Sequence, residues 1–183
     1  MSLFNLKDKS ILITGSSRGI GKSIAHHCAL HGANVIISSR KLDACEATAD
    51  EINKKIGKDV AFPIAANISD ENQLELLIKN TRDKLGKIDV LICISWQRII
   101  PNWVIRLPKI ACLGMHGSHE GMYLGRGRSP MNWAILTGQK VFKMSLFKIN
   151  QDNADSGPEI YRQNIPITLN DDINSLYLKC HLV

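Results

Sequence analysis

The 183-residue chain is poor in aromatic residues, at 5%, and has neither a block of like charge nor a long apolar run. No apolar stretch reaches the roughly 18 residues that span a bilayer. Met1 to Ser10 carries charged residues where a signal peptide needs an apolar segment. The expectation is a globular protein of the cytoplasm that does not enter a membrane. Lys and Arg outnumber Asp and Glu by 23 to 17, but the two signs are interspersed, so no basic tract is offered to nucleic acid or lipid. Five cysteines, an odd number without repeating spacing, do not form a disulfide framework and read as reduced thiols packed like small hydrophobes. What is present, 44% hydrophobic and 22% charged residues, is the composition of an ordinary globular domain.

That composition changes near residue 94. Residues 1–93 hold ten Lys and three Arg, whereas residues 94–183 hold five of each. All three Trp, all three Tyr and five of the six Pro lie in the second part, and nine of twelve Ala in the first. The two parts are therefore read separately, as 1–93 and 94–183.

In the first part, short β-rich runs alternate with amphipathic windows. Ile11-Leu12-Ile13, Val35-Ile36-Ile37, Val60 to Ile64 and Val90 to Cys93 read as four strands buried on both faces. Between them, apolar residues recur at helical spacing: Ile24, Ala25, Cys28 and Ala29; Leu42, Cys45, Ala49, Ile52 and Ile56; Leu74, Leu77, Ile78, Thr81 and Leu85. Gly32, Gly57 and Gly86 stand at the expected helix stops, and Ser69 or Asp70 at the start of the third helix. Strands alternating with helices imply right-handed crossovers and a parallel α/β sheet of Rossmann type, with strand order 3-2-1-4.

Between the first strand and the first helix lies Thr14-Gly15-Ser16-Ser17-Arg18-Gly19-Ile20-Gly21. A dinucleotide pyrophosphate can approach a helix N-terminus closely only where the turn carries no obstructing Cβ atoms, and the orphan N–H groups and helix dipole then bind its charge. The three glycines meet that need. After the second strand comes Ser38-Ser39-Arg40-Lys41, with no acidic residue to bind both ribose hydroxyls. Ser39 and Arg40 instead offer donors and positive charge to a 2′-phosphate, so NADP is favoured over NAD.

Together with Ala66-Asn67-Ile68-Ser69-Asp70 after the third strand and Gly86-Lys87-Ile88-Asp89-Val90-Leu91 into the fourth, these motifs resemble the short-chain dehydrogenase/reductase family, and most of all its NADP-preferring carbonyl reductases. The resemblance covers about half the chain. It implies that Gly15, Gly19 and Gly21 shape the phosphate site, that Ile20 contributes backbone to it, and that Ser17 and Arg18 lie beside the adenosine phosphate. It further implies that Asn67 and Ile68 hold the adenine. Asn67 stands where the family often has Asp, and its side-chain oxygen can still accept from an adenine amino group.

The match then stops. Where the family has Asn-Asn-Ala-Gly, this chain has Cys93-Ile94-Ser95-Trp96. The family's catalytic Tyr-x-x-x-Lys places the lysine one helical turn from the proton-transferring tyrosine. Here Tyr123, Tyr161 and Tyr177 are followed four residues later by Gly127, Ile165 and His181, so no catalytic residue is assigned. Ala134 to Thr137 could pass for a fifth strand ending in a hydroxyl, a coincidence without that motif behind it. Cys112, His116, His119 and Glu120 lack a fourth ligand at recognisable spacing and read as turn residues, so no metal is assigned. Gly121, Gly125 and Gly127 with Arg126 and Arg128 read as a flexible loop rather than an anion site, because no strand delivers it to a helix.

Three readings follow. In the first, an NADP(H)-dependent reductase lineage has been truncated, frameshifted or alternatively spliced after residue 93, leaving its catalysis impaired. A small carbonyl or alcohol substrate is expected only if activity survives. In the second, the chain is a non-catalytic dinucleotide-binding or regulatory module, and in the third an active site is built from Tyr123, Tyr161 or the histidines. Residues 94–183 are expected to pack irregularly.

Overall fold

The computed structural model describes residues 4–96, 99–122, 129–150 and 157–182. The chain divides into two compact units, Met1–Cys112 and Leu113–Val183.

The first unit is built on strands β1 (Ser10–Thr14), β2 (Asn34–Ser38), β3 (Ala61–Pro63) and β4 (Val90–Cys93), paired in parallel in the order β3-β2-β1-β4. Leu12 at the centre of β1 faces Ile36 on one side and Leu91 on the other. All five residues of β1 are buried, as a parallel strand covered on both faces requires. The cover is α1 (Gly19–Leu30), α2 (Leu42–Ile56) and α3 (Glu71–Leu85). α1 buries the small residues Gly21, Ala25 and Ala29, α2 buries Cys45, Thr48, Ala49 and Ile52, and α3 buries Leu74, Leu77, Ile78 and Thr81. Leu42, at the head of the apolar stripe of α2, is half exposed instead.

Side chains fix the ends of these elements. Of the two candidates, Asp70 caps α3, its carboxylate accepting from Gln73 N–H at 3.1 Å. Asn53 on α2 accepts from Val60 and Ala61 N–H and donates to the Ala61 carbonyl, so one amide ties helix to strand. Asp89, almost fully buried, accepts from Ser10 N–H at 2.9 Å and pairs with Lys87. The edge of β4 away from β1 is covered within the same unit. After the short α4 (Asn102–Ile105), which buries Val104, the N–H groups of Lys109 and Ile110 donate to the carbonyls of Ile88 and Asp89.

The second unit is more regular than its sequence leads one to expect. β5 (Ala111–Ser118), whose first two residues belong to the first unit, β6 (Val141–Lys148) and β7 (Glu159–Pro166) pair antiparallel in sequence order, with α5 (Pro130–Leu136) and α6 (Ile173–Leu182) beside them. The expected irregular packing of 94–183 is thus corrected. β6 alternates buried Phe142 and Met144 with half-buried neighbours, and a bulge near Leu146 and Phe147 brings Phe147 into the core. The rings of Phe147 and Phe142 lie over Gly114 and Gly117 of β5, whose hydrogens leave room that a methyl would fill. Ala134 to Leu136, which could pass for a strand, form the end of α5, because Pro130 in the first turn starts a helix there. Among the described residues no helix is long and apolar enough to cross a membrane.

Candidate functional site

The turn from β1 into α1 is held from three sides. Ser16 Oγ donates to the Ile13 carbonyl at 2.6 Å and accepts from Ser38 N–H at 2.9 Å, while Ser16 N–H donates to the Ser38 carbonyl, locking the turn to the end of β2. Thr48 on α2 donates to the Ser17 carbonyl at 3.0 Å. Thr14 Oγ1 reaches across to the backbone of Ile94, just beyond β4. The loop is therefore pre-organised by protein contacts alone.

Its glycines have the geometry that the spacing calls for. Gly15 and Gly19 have φ of 61° and 58°, in the left-handed region. A Cβ on Gly15 would stand 2.8 Å from the Ile94 carbonyl oxygen, and one on Gly21 would collide with the carbonyl of Gly15. The bond from Lys22 N–H to Arg18 O opens the helix, so the N–H groups of Gly19, Ile20 and Gly21 have no intrahelical acceptor. No acidic residue lies in that first turn. Arg18 is exposed at the N-cap, and Ser17 and Ile20 are half-buried beside it. The arrangement suits an anion: free donors, the positive end of a twelve-residue helix and no competing carboxylate.

The other predicted residues gather at the C-terminal ends of β2 and β3. Ser39 is half-buried, with Oγ 3.2 Å from Cys45 Sγ, and Arg40 is exposed. Ala66 N–H donates to the Ser39 carbonyl, which brings Asn67 and Ile68 alongside. Asn67 Oδ1 accepts from Ser69 N–H, leaving its second lone pair for another donor. Ser38 Oγ is buried without a protein partner. Thr14, Ser16 and Thr48 were not singled out from sequence, since their partners are remote and only the fold supplies them.

Past β4 the picture changes. Ser95 has φ of 59°, a left-handed conformation uncommon for a residue with a side chain. Tyr161 lies on β7 with its hydroxyl donating to Gln163, and Tyr177 packs edge-on against His181 on α6. Tyr123, Gly125, Arg126, Gly127 and Arg128 lie outside the described residues. His119 sits 3.7 Å from Glu120, and Cys112 faces Cys93. Among the described residues no three His, Cys, Asp or Glu side chains are grouped to hold a metal ion.

Residues 9–94 match the short chain dehydrogenase family. That segment is similar to the short-chain dehydrogenase/reductase family. A 3-oxoacyl-(acyl-carrier-protein) reductase of Staphylococcus aureus is 41% identical over 85 residues, 46% of this chain and 34% of its own length. A hydroxysteroid dehydrogenase-like protein 2 of Bos taurus is 32% identical over 122 residues, 63% of this chain and 29% of its own length. The solved 3-ketoacyl-(acyl-carrier-protein) reductase of Brucella melitensis, complexed with NADH, aligns at 35% identity and TM-score 0.45, covering 48% of this chain and 34% of that one. The match to this chain therefore spans about a third of these relatives. The glycine turn described above lies inside the matched segment.

Proposed function

We propose that the first unit binds NADP(H) and that the chain, although of reductase lineage, does not itself transfer hydride efficiently. The observation that carries the binding half is the turn. Left-handed Gly15 and Gly19, and Gly21 placed where a Cβ would strike the Gly15 carbonyl, leave a cradle of backbone N–H groups at the start of α1. A dinucleotide fits this donor set, with Gly15, Ser17, Arg18, Gly19, Ile20 and Gly21 toward the pyrophosphate and Asn67 and Ile68 toward the adenine. Ser39 and the exposed guanidinium of Arg40 would take the 2′-phosphate.

When bound, the nicotinamide supplies or accepts a hydride. This chain's residues then have to orient that ring and move a proton, and here support is lacking. Cys93-Ile94-Ser95-Trp96 replaces the family's Asn-Asn-Ala-Gly, and no Tyr-x-x-x-Lys follows. An altered reading frame or exon after residue 93 would account for a family match that ends at residue 94, even though one relative aligns over 63% of this chain. A non-catalytic binding module is the second reading, favoured by the pre-formed turn, which Ile13, Ser38 and Thr48 of the first unit hold.

Titration of NADPH and NADH into the protein, followed by calorimetry, tests the binding. NADPH is expected to bind more tightly. Arg40→Asp should reverse the order, because one charge-assisted contact contributes about 1.5–3 kcal/mol, roughly 10- to 100-fold in Kd. Equal affinities would overturn the NADP preference, and no binding of either by folded protein would overturn the reading.

A further inference from the structure

All five cysteines are free thiols, but two of them meet: Cys93 Sγ and Cys112 Sγ lie 3.8 Å apart, with the residues 7% and 2% exposed. We propose that Cys93 and Cys112 are a reversible dithiol–disulfide pair whose oxidation loosens the dinucleotide site. The effect on the site rests on the dinucleotide reading above, whereas formation of the bond does not.

The geometry is favourable for a bond. Lys109 and Ile110 pair with Ile88 and Asp89, so residues 109–112 run alongside β4 in the same direction and Cys112 arrives beside Cys93. Adjacent strands are about 4.7–4.9 Å apart, and disulfides join Cα atoms about 4.4–6.8 Å apart. Contacting thiols on neighbouring strands thus need only a short approach. Among the described residues none of the other three cysteines is placed this way: Cys45 meets the Ser39 hydroxyl, Cys28 is half-buried on α1 and Cys180 is buried on α6.

The coupling to the site runs through one residue. Ile94 follows Cys93, and its N–H and carbonyl are both held by Thr14 Oγ1, at 3.0 and 2.9 Å. Its carbonyl oxygen also fills the space against which Gly15 is packed. Drawing Cys93 toward Cys112 therefore pulls on the backbone that supports the phosphate turn.

A small peroxide is the chemical class of oxidant that can enter so closed a place. One thiolate attacks the peroxide oxygen, the O–O bond breaks, and a sulfenic acid and water or an alcohol result. The second thiol then attacks the sulfenic sulfur, the S–O bond breaks, and a disulfide and water form. The two thiols lose two electrons and two protons, and the peroxide gains them. A thiol reductant reverses the step. Hydrogen bonding to Cys112 and burial push the Cys93 thiol well above the ordinary thiol range, which makes oxidation slow and dependent on local opening.

The test treats the full chain with hydrogen peroxide, then counts thiols in denaturant, maps peptides and titrates NADPH before and after reduction. Free thiols should fall from five to three, with Cys93 and Cys112 in one linked peptide pair. NADPH affinity should fall by at least about fivefold, the low end of ordinary coupling between sites, and recover with dithiothreitol. Cys112→Ala should keep its NADPH affinity under the same peroxide. Five surviving thiols, other linkages, or over-oxidation of single cysteines would overturn the pair. A 93–112 bond with unchanged affinity would overturn the coupling. Reduced protein that forms the bond yet never binds NADPH would instead overturn the dinucleotide reading, leaving the pair established by thiol count and mapping.

Discussion

Thr14 and Ile94, 80 residues apart in sequence, hold each other by two hydrogen bonds: Thr14 Oγ1 donates to the Ile94 carbonyl at 2.9 Å and accepts from the Ile94 N–H at 3.0 Å. One hydroxyl thereby joins the last residue of β1 to the exit from β4, directly beneath the glycine turn. Such a contact is worth more than a surface bond, because its loss leaves two backbone groups without partners in a place where Thr14 is 1% exposed.

Thr14→Val keeps the shape and removes the hydroxyl. The expected loss is about 1–3 kcal/mol of unfolding free energy. It is read as a lower urea midpoint with unchanged slope. Thr14→Ser, which keeps the hydroxyl, should recover most of it. A valine variant as stable as the parent would show that the bridge contributes nothing.

Gly21→Ala tests the close approach inside the turn. A Cβ there would strike the Gly15 carbonyl and lie 2.9 Å from Ser16 Cα, all of it backbone that is tied to β2. Stability should fall by about 1–3 kcal/mol, as for overpacking, together with dinucleotide affinity. Gly57→Ala, at φ of 80° with open space around it, should cost only about 1 kcal/mol and leave affinity intact. Equal effects of the two on binding would refute the role of Gly21.

These contacts also mark the limit of what sequence discloses. The four strands of the first unit were readable because runs such as Ile11-Leu12-Ile13 have no polar face and so must be buried on both sides. The glycine turn was readable because its spacing is set by a local steric need. Thr14 and Ser16 were not, since a hydroxyl's partner is a matter of topology. In the second unit Cys112 and His116 read as turn residues in the sequence, yet both lie on β5, where the phenyl rings of β6 pack over Gly114 and Gly117. The alternation of Phe142 and Met144 in β6 was a signal available in the sequence.

Asp89 should make the first unit sensitive to acid. Burial opposes its ionisation, but the hydrogen bond from Lys87 and that from Ser10 N–H outweigh it and hold the carboxyl below the usual carboxylate range. A carboxyl with a depressed folded pKa stabilises the native state above its unfolded pKa of about 4. That contribution is lost as pH falls toward the folded value. Unfolding free energy measured from pH 6 downward should therefore decline more steeply in the parent than in Asp89→Asn. The variant should be less stable at pH 6 by about 1–3 kcal/mol, the value of a hydrogen bond to a charged group. Parallel curves would exclude Asp89 as a source of the decline.

The last expectation concerns turnover. The phosphate turn is formed by residues of the first unit, whereas the groups that would place the nicotinamide and protonate a carbonyl oxygen have no counterpart at Cys93-Ile94-Ser95-Trp96 or behind it. General acid catalysis alone is worth roughly 10²–10⁴-fold, and a ring misplaced by about 1 Å can cost a further 10²-fold. NADPH oxidation with a panel of aldehydes, ketones and diketones is therefore expected to fall far below about 1 per second, the lower end of ordinary enzymes. Gly19→Trp, which fills the phosphate turn at a residue with φ of 58°, separates specific turnover from background. Rates near 1 per second or faster that disappear in Gly19→Trp would mean that residues beyond β4 supply a working proton donor. Tyr161 and Tyr177 would then be the first side chains to replace by Phe.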